Sequence, residues 1–216
     1  MKTTVHTIFA LALVYGLNTF AAHHEEEGWI TLFDGSSLEH WKAVENPSTF
    51  SLKDGIIIAY GPRAHLFYTG PVENAKFKNF ELKVDVLTKK GANGGIFFQT
   101  EYQEDGWPEK GFEAQVNNTY TKDPIKTGSL YGIDNVLEQH AKDDEWFTEH
   151  IIVKGNRIII KVDGKTLVDW TQEKGKDIPK GIRIPRGTIA LQGHDPKSEI
   201  HYKNIRIKPL PDNANK

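Results

Sequence analysis

A chain of 216 residues has room for one domain with a complete apolar core, so its fold requires no disulfide or metal staple. Its formal net charge of −2, with no dense basic stripe, excludes phosphate-backbone binding and with it a nucleic-acid partner. The absence of cysteine excludes thiol nucleophiles, thiolate metal sites and disulfides.

Residues 1–22 carry the layout of a secretory signal peptide. Lys2 supplies the positive start, Ile8 to Val14 form an apolar run too short to span a bilayer, and small residues follow at Thr19, Ala21 and Ala22. Cleavage is expected after Ala21 or Ala22, where no cysteine offers a point for lipid attachment. The mature protein is therefore expected to be exported, periplasmic or extracellular, with no transmembrane anchor after processing. Its first residues, His23-His24-Glu25-Glu26-Glu27, read as a solvated tail over 23–28 that would hold a metal only weakly. One domain is expected over 29–210, followed by a short tail at 211–216.

From Trp29 onward the hydrophobic period is two, the signature of half-buried strands. Apolar and charged residues alternate from Phe80 to Val86, and Gly95 to Gln103 reads as a further strand. A hairpin is expected between Ile151–Lys154 and Arg157–Asp163 through Gly155-Asn156. Asp163-Gly164 then turns the chain into Thr166–Trp170, since both residues accept positive φ. Asp54-Gly55 marks an earlier turn before Ile56–Ile58, while Thr188–Gly193 and Glu199–Lys208 complete the series. The best helix candidate, Val136–Glu145, has too few apolar residues for a core-facing stripe. The fold class is all-β, an antiparallel sandwich or jelly roll, without the fixed-period repeat of a propeller or solenoid.

Two strands present hydrogen-bonding side chains on one face. Glu113, Gln115 and Asn117 alternate with Phe112, Ala114 and Val116, and Gln192 and His194 oppose Ile189 and Leu191. A carboxylate accepts, an amide donates and accepts, and an imidazole does either, which is the set that sugar hydroxyls require. Glu and His also form a proton-transfer pair. The bland alternative is that both strands simply turn a polar face to water. Trp107, Tyr102, Tyr120 and Tyr131 lie in or beside loop stretches, where their rings suit the apolar faces of sugars or else cover the core. Arg63 and His65 are expected in a turn overhanging the sheet.

With these segments in place, the chain resembles the 3-keto-disaccharide hydrolase family. The similar stretches run in order through nearly the whole mature chain. They are Thr31–Leu38 with Trp41, Phe80–Lys83, Asn93–Phe98, Gly111–Gln115, Gly128–Gly132, Glu145–Phe147, Ala190–His194 and Asn204–Ile207. The resemblance implies a concanavalin-like jelly roll of two antiparallel sheets. It also implies an exported protein acting on glycosides already oxidised at C3. There the ketone acidifies the C2 proton, a base removes it, the enolate expels the C1 substituent, and water adds to the unsaturated product. That route requires one base and an enolate stabiliser rather than the paired carboxylates of ordinary glycosidases.

On this resemblance Glu113 is the base and His194 its acid/base partner or an electrophile near the C3 oxygen. Gln115, Asn117, Gln192 and Tyr131 hold hydroxyls, with Trp107, His65 and Arg63 as further substrate contacts. A divalent metal cation polarising the ketone is compatible with this chemistry, and its ligands are unassigned. The polar loop Asn118–Thr127 departs from the family pattern and bears on leaving-group preference. Two other readings remain open at this point: a non-catalytic carbohydrate-binding module on the same sandwich, and an ordinary glycosidase with Glu101 or Asp195 as second carboxylate.

Overall fold

A computed structural model describes residues 27–178 and 183–212, so the expected signal peptide, its cleavage site and residues 213–216 lie outside the described residues. All strand pairings are antiparallel and build two stacked sheets. The smaller has the spatial order β2 (Trp41–Val44), β5 (Ala64–Tyr68), β12 (Thr188–Gly193), β7 (Gly94–Thr100) and β8 (Phe112–Val116). The larger runs β11 (Lys165–Thr171), β10 (Arg157–Val162), β9 (Phe147–Lys154), β6 (Phe80–Thr88), β13 (Glu199–Pro209), β4 (Ile56–Tyr60) and β3 (Phe50–Lys53), with β1 (Ile30–Phe33) also paired to β13. This is the all-β jelly-roll sandwich expected from the period-two pattern. No helix among the described residues is long and apolar enough to cross a membrane.

The alternation in β6 explains the layering. Leu82, Val84 and Val86 are fully buried between the sheets, while Glu81, Lys83 and Asp85 face outward. Ile96 and Phe98 of β7, Ile189 and Leu191 of β12, and Leu66 of β5 meet them from the smaller sheet. Each such side chain contributes about 1.5–3 kcal/mol through removal of apolar surface from water. The Asp163-Gly164 hairpin has φ of 48° and 80°, the left-handed pair that lets β10 turn directly into β11.

Two expectations change. β7 ends at Thr100 rather than Gln103, because Gln99 takes a positive φ of 45° and the chain then leaves the sheet. His65 lies within strand β5, not in an overhanging turn. The surrounding turn signals in Gly61-Pro62-Arg63 obscured a five-residue strand that is buried along its whole length.

Register decides which side chains share the outer face of the smaller sheet. Glu113 stands opposite Phe97, and Gln115 opposite Gly95. Ala190 stands opposite both Phe97 and Phe67, and Gln192 opposite His65. Directly opposed residues in antiparallel strands point the same way. Polar groups from β8 and β12 therefore lie on one surface beside an apolar stripe of Val44, Phe67, Phe97 and Ala190. Tyr102 packs on that stripe.

Candidate active site

The outer face of the smaller sheet floors a cleft of about 220 Å³. Glu113, Gln115 and Gln192 reach it from the strands, and His194 from the end of β12. Trp107, Pro108, Asp123 and Tyr131 contribute to its walls, and Asn93 and Phe97 complete the lining. Glu113 and His194, predicted from separate strands, thus share one concave surface.

Gln192 Nε2 donates to Glu113 Oε1 at 3.0 Å, holding the carboxylate against the floor. The other amide atom, Gln192 Oε1, is buried without a hydrogen-bond partner among the described residues. Gly95 makes the seat for Glu113, since a Cβ at that position would collide with the carboxylate. Gln115 Nε2 donates to Asn93 Oδ1 at 3.2 Å, which ties the β8 side of the floor to the start of β7.

Beyond the end of β12, His194 Nδ1 lies 2.8 Å from Asp195 Oδ2. The imidazole packs against Trp107, with ring centroids 5.5 Å apart, and against the edge of Tyr120 at 5.7 Å. Burial works against ionisation of Asp195. Hydrogen bonds from His194, the Lys197 backbone and the Ser198 hydroxyl outweigh it and hold the carboxyl below its ordinary value. Opposite, the Tyr131 hydroxyl donates to Asp123 Oδ2 at 3.0 Å. Desolvation, reinforced by that carboxylate, pushes the Tyr131 phenol up to about 12, so it remains a protonated donor at neutral pH.

Three predicted contacts fall outside the lining. Asn117 is fully buried, and its amide donates to the backbone of Asp123 and Ile125 while its oxygen accepts from the Tyr120 amide. It therefore shapes the 118–127 loop that brings Asp123 to the cleft. Arg63 is engaged by Glu45, with Nη2 2.6 Å from Oε1, and its guanidinium lies 5.2 Å from the centre of the Trp107 ring. The Arg63 hydrogen bond holds Glu45 at a pKa of about 2 against its own burial, and the Gly106 amide also donates to Glu45 Oε1. The pair thus fastens the loop that carries Trp107. His65 is fully buried, its ring packed on Phe97 and Trp107. Both its nitrogens lack partners and burial pushes its pKa down to about 4, so it is a neutral packing ring supporting that wall.

Sequence reasoning missed Asn93, Phe97, Pro108 and Asp123. Phe97 carries a legible signal, because its alternation with Gly95 puts it on the polar face, but an aromatic in an apolar run reads as core. Asn93 was hidden in a Gly-rich turn. Asp123 depends on how the 118–127 loop folds, which no local period encodes.

Among the described residues no three His, Asp or Glu side chains converge as a ligand set for a cation.

Comparison with known proteins adds a family. The sequence profile described as 3-keto-alpha-glucoside-1,2-lyase-like domain matches residues 28–208. The chain is 24% identical to a 3-keto-disaccharide hydrolase of Bacteroides thetaiotaomicron, over 86% of this chain and 80% of that protein. Two glycosyl-hydrolase candidates of known structure from Parabacteroides distasonis are similar in fold. One has a TM-score of 0.70 and 22% identity, covering 86% of this chain and 95% of the other. The second has a TM-score of 0.64 and 26% identity, covering 84% and 99%.

Proposed function

The chain belongs to the 3-keto-alpha-glucoside-1,2-lyase-like family, and from that premise we propose a glycoside hydrolase-type enzyme that cleaves 3-keto-glucosides by elimination and hydration. One observation carries the reading most: a carboxylate and an imidazole from different strands line the same small cleft.

In the first half, Glu113 removes the proton from C2, and its electron pair forms an enolate with the C3 ketone. The enolate then re-forms the ketone and a C1–C2 double bond as the C1–O bond breaks. The departing oxygen takes a proton from the His194 imidazolium. In the second half, the neutral imidazole takes a proton from water as its oxygen bonds to C1, and Glu113 returns its proton to C2. Both groups end as they began, and the net change is hydrolysis. The Tyr131 oxygen, its proton given to Asp123, accepts from a ring hydroxyl, and Trp107, 43% exposed, borders the same cleft beside the sugar.

The test is incubation of the purified mature protein with α- and β-linked 3-keto-glucosides. Transient ultraviolet absorbance from the unsaturated ketone and release of the leaving alcohol are expected. Binding with no turnover would favour a carbohydrate-binding role on the same face instead.

We further propose that the protein acts after export, supported by the charged start, short apolar run and small residues at its N-terminus. Intact-mass measurement on protein from the native host is expected to show a first residue near Ala22 or His23. An unprocessed Met1 or Lys2 would overturn this.

A further inference from the structure

The surroundings of His194 fix more than its position. Ser198 Oγ accepts the Asn93 backbone N–H at 2.9 Å, which leaves its own proton to donate to Asp195 Oδ2 at 2.8 Å. Asp195 Oδ1 accepts the Lys197 N–H at 2.9 Å. Both donors aim at a carboxylate that can only accept while ionised, and Asp195 is held in that form. The third contact, His194 Nδ1 at 2.8 Å, then has one polarity: the imidazole donates Nδ1–H to Asp195. In the neutral ring the lone pair must sit on Nε2.

We propose that Asp195 is a positioning residue that locks His194 in the Nδ1–H tautomer, so that Nε2 alone exchanges protons in the cleft. The inference rests on the two-half reaction above and extends it. A single nitrogen must donate to the leaving oxygen and later accept from water, and a ring free to change tautomer would offer a protonated, useless Nε2 in the second half. The carboxylate also stabilises the imidazolium that the second half creates. Ser198 and the Asn93 amide hold Asp195 in turn. The start of β7, which carries Asn93 and the Gly95 seat of Glu113, is thereby tied to the segment that carries His194. The two proton-transfer groups share one support.

The experiment compares wild type with Asp195→Asn and Ser198→Ala by nitrogen-15 NMR of labelled histidine and by steady-state kinetics. Wild-type His194, once neutral, is expected to show a protonated Nδ1 and a bare Nε2. Asp195→Asn places an amide that can donate to Nδ1, so the signature should move toward Nε2–H, with kcat falling about 10²–10⁴-fold and KM little changed. Ser198→Ala leaves the carboxylate in place and is expected to lower kcat severalfold with the tautomer retained. A wild-type His194 protonated on Nε2 overturns the proposal without any variant. So does Asp195→Asn with the wild-type tautomer, or an altered tautomer with wild-type kcat. The tautomer is read without substrate, so a protein that shows the Asp195-dependent shift but turns over no 3-keto-glucoside would refute the substrate assignment and leave the positioning role standing.

Discussion

Glu113→Gln is expected to lower turnover of a 3-keto-glucoside by about 10²–10⁴-fold while KM stays within a few-fold of wild type. The amide is nearly isosteric with the carboxylate, keeps an oxygen for Gln192 Nε2, and fits the space that Gly95 leaves open. What it lacks is basicity toward the C2 proton. The mechanism also makes a prediction independent of leaving-group release: wild type should exchange the C2 hydrogen of a substrate with solvent deuterium, and the variant should not. A Glu113→Gln enzyme with wild-type kcat, or one that still exchanges C2, would remove Glu113 as the base.

The second large effect lies in the core. Glu149 of β9 points between the sheets and is fully buried; among the described residues neither carboxyl oxygen has a hydrogen bond of normal geometry, the nearby Gly128 amide that partly offsets its burial being donated to the Gln115 carbonyl. The Tyr202 hydroxyl, whose phenol is raised by burial and by Glu149, is likewise buried without a partner. Desolvation pushes Glu149 from an ordinary 4.5 up to about 8. Above pH 4.5 the unfolded chain releases this proton while the folded chain keeps it to about pH 8, so stability falls as pH rises through that window. The full loss is roughly 5 kcal/mol.

His65 acts in the opposite sense. The unfolded ring binds a proton below about 6.5 and the folded one refuses it down to about 4, so stability falls as pH drops through that range. His150, lowered chiefly by burial, adds to the acid side. The slopes oppose one another below pH 6.5, and above it only Glu149 remains of the three. The melting temperature is therefore expected to peak near pH 6.5 and to decline toward pH 8 by the equivalent of about 2 kcal/mol. Glu149→Gln should flatten that decline. Glu149→Leu should do the same and raise stability at pH 7.5 by about 3 kcal/mol, or roughly 6–12 °C in melting temperature. Calorimetry across pH 5–8.5 reads both, and an alkaline decline that survives in Glu149→Gln would show that Glu149 is not its source.

Most of the fold was legible because strands of this kind announce their faces. The Phe80–Val86 alternation and the Asp-Gly turns gave element type and connectivity, and period two grouped Glu113, Gln115 and Asn117 on one face of one strand and Gln192 with His194 on one face of another. Pairing order was not local information. That β12 lies between β5 and β7, and so carries Gln192 to Glu113, follows from contacts across more than 70 residues of chain. Single-residue environments were harder still. His65 and Arg63 read as exposed because they follow a Gly-Pro turn, yet one is sealed under Trp107 and the other is held by Glu45. Glu149 was not singled out in the sequence, although its phase with the buried Phe147 and Ile151 puts it on the core face.

The fastening of Trp107 has a kinetic consequence. Its loop is hydrogen-bonded to Glu45, on the turn after β2, and Arg63, on the turn before β5, holds Glu45 and lies over the indole. A loop held by contacts to two turns of the sandwich is a poor candidate for a lid, and the cleft it borders stands open in this structure. If the protein turns over as proposed, substrate entry and alcohol release are expected to need no opening of this loop, so kcat should be insensitive to solvent viscosity effects on loop motion. On the proposed reaction, an open cleft would admit water to the unsaturated intermediate in place, so that elimination and hydration share one bound state.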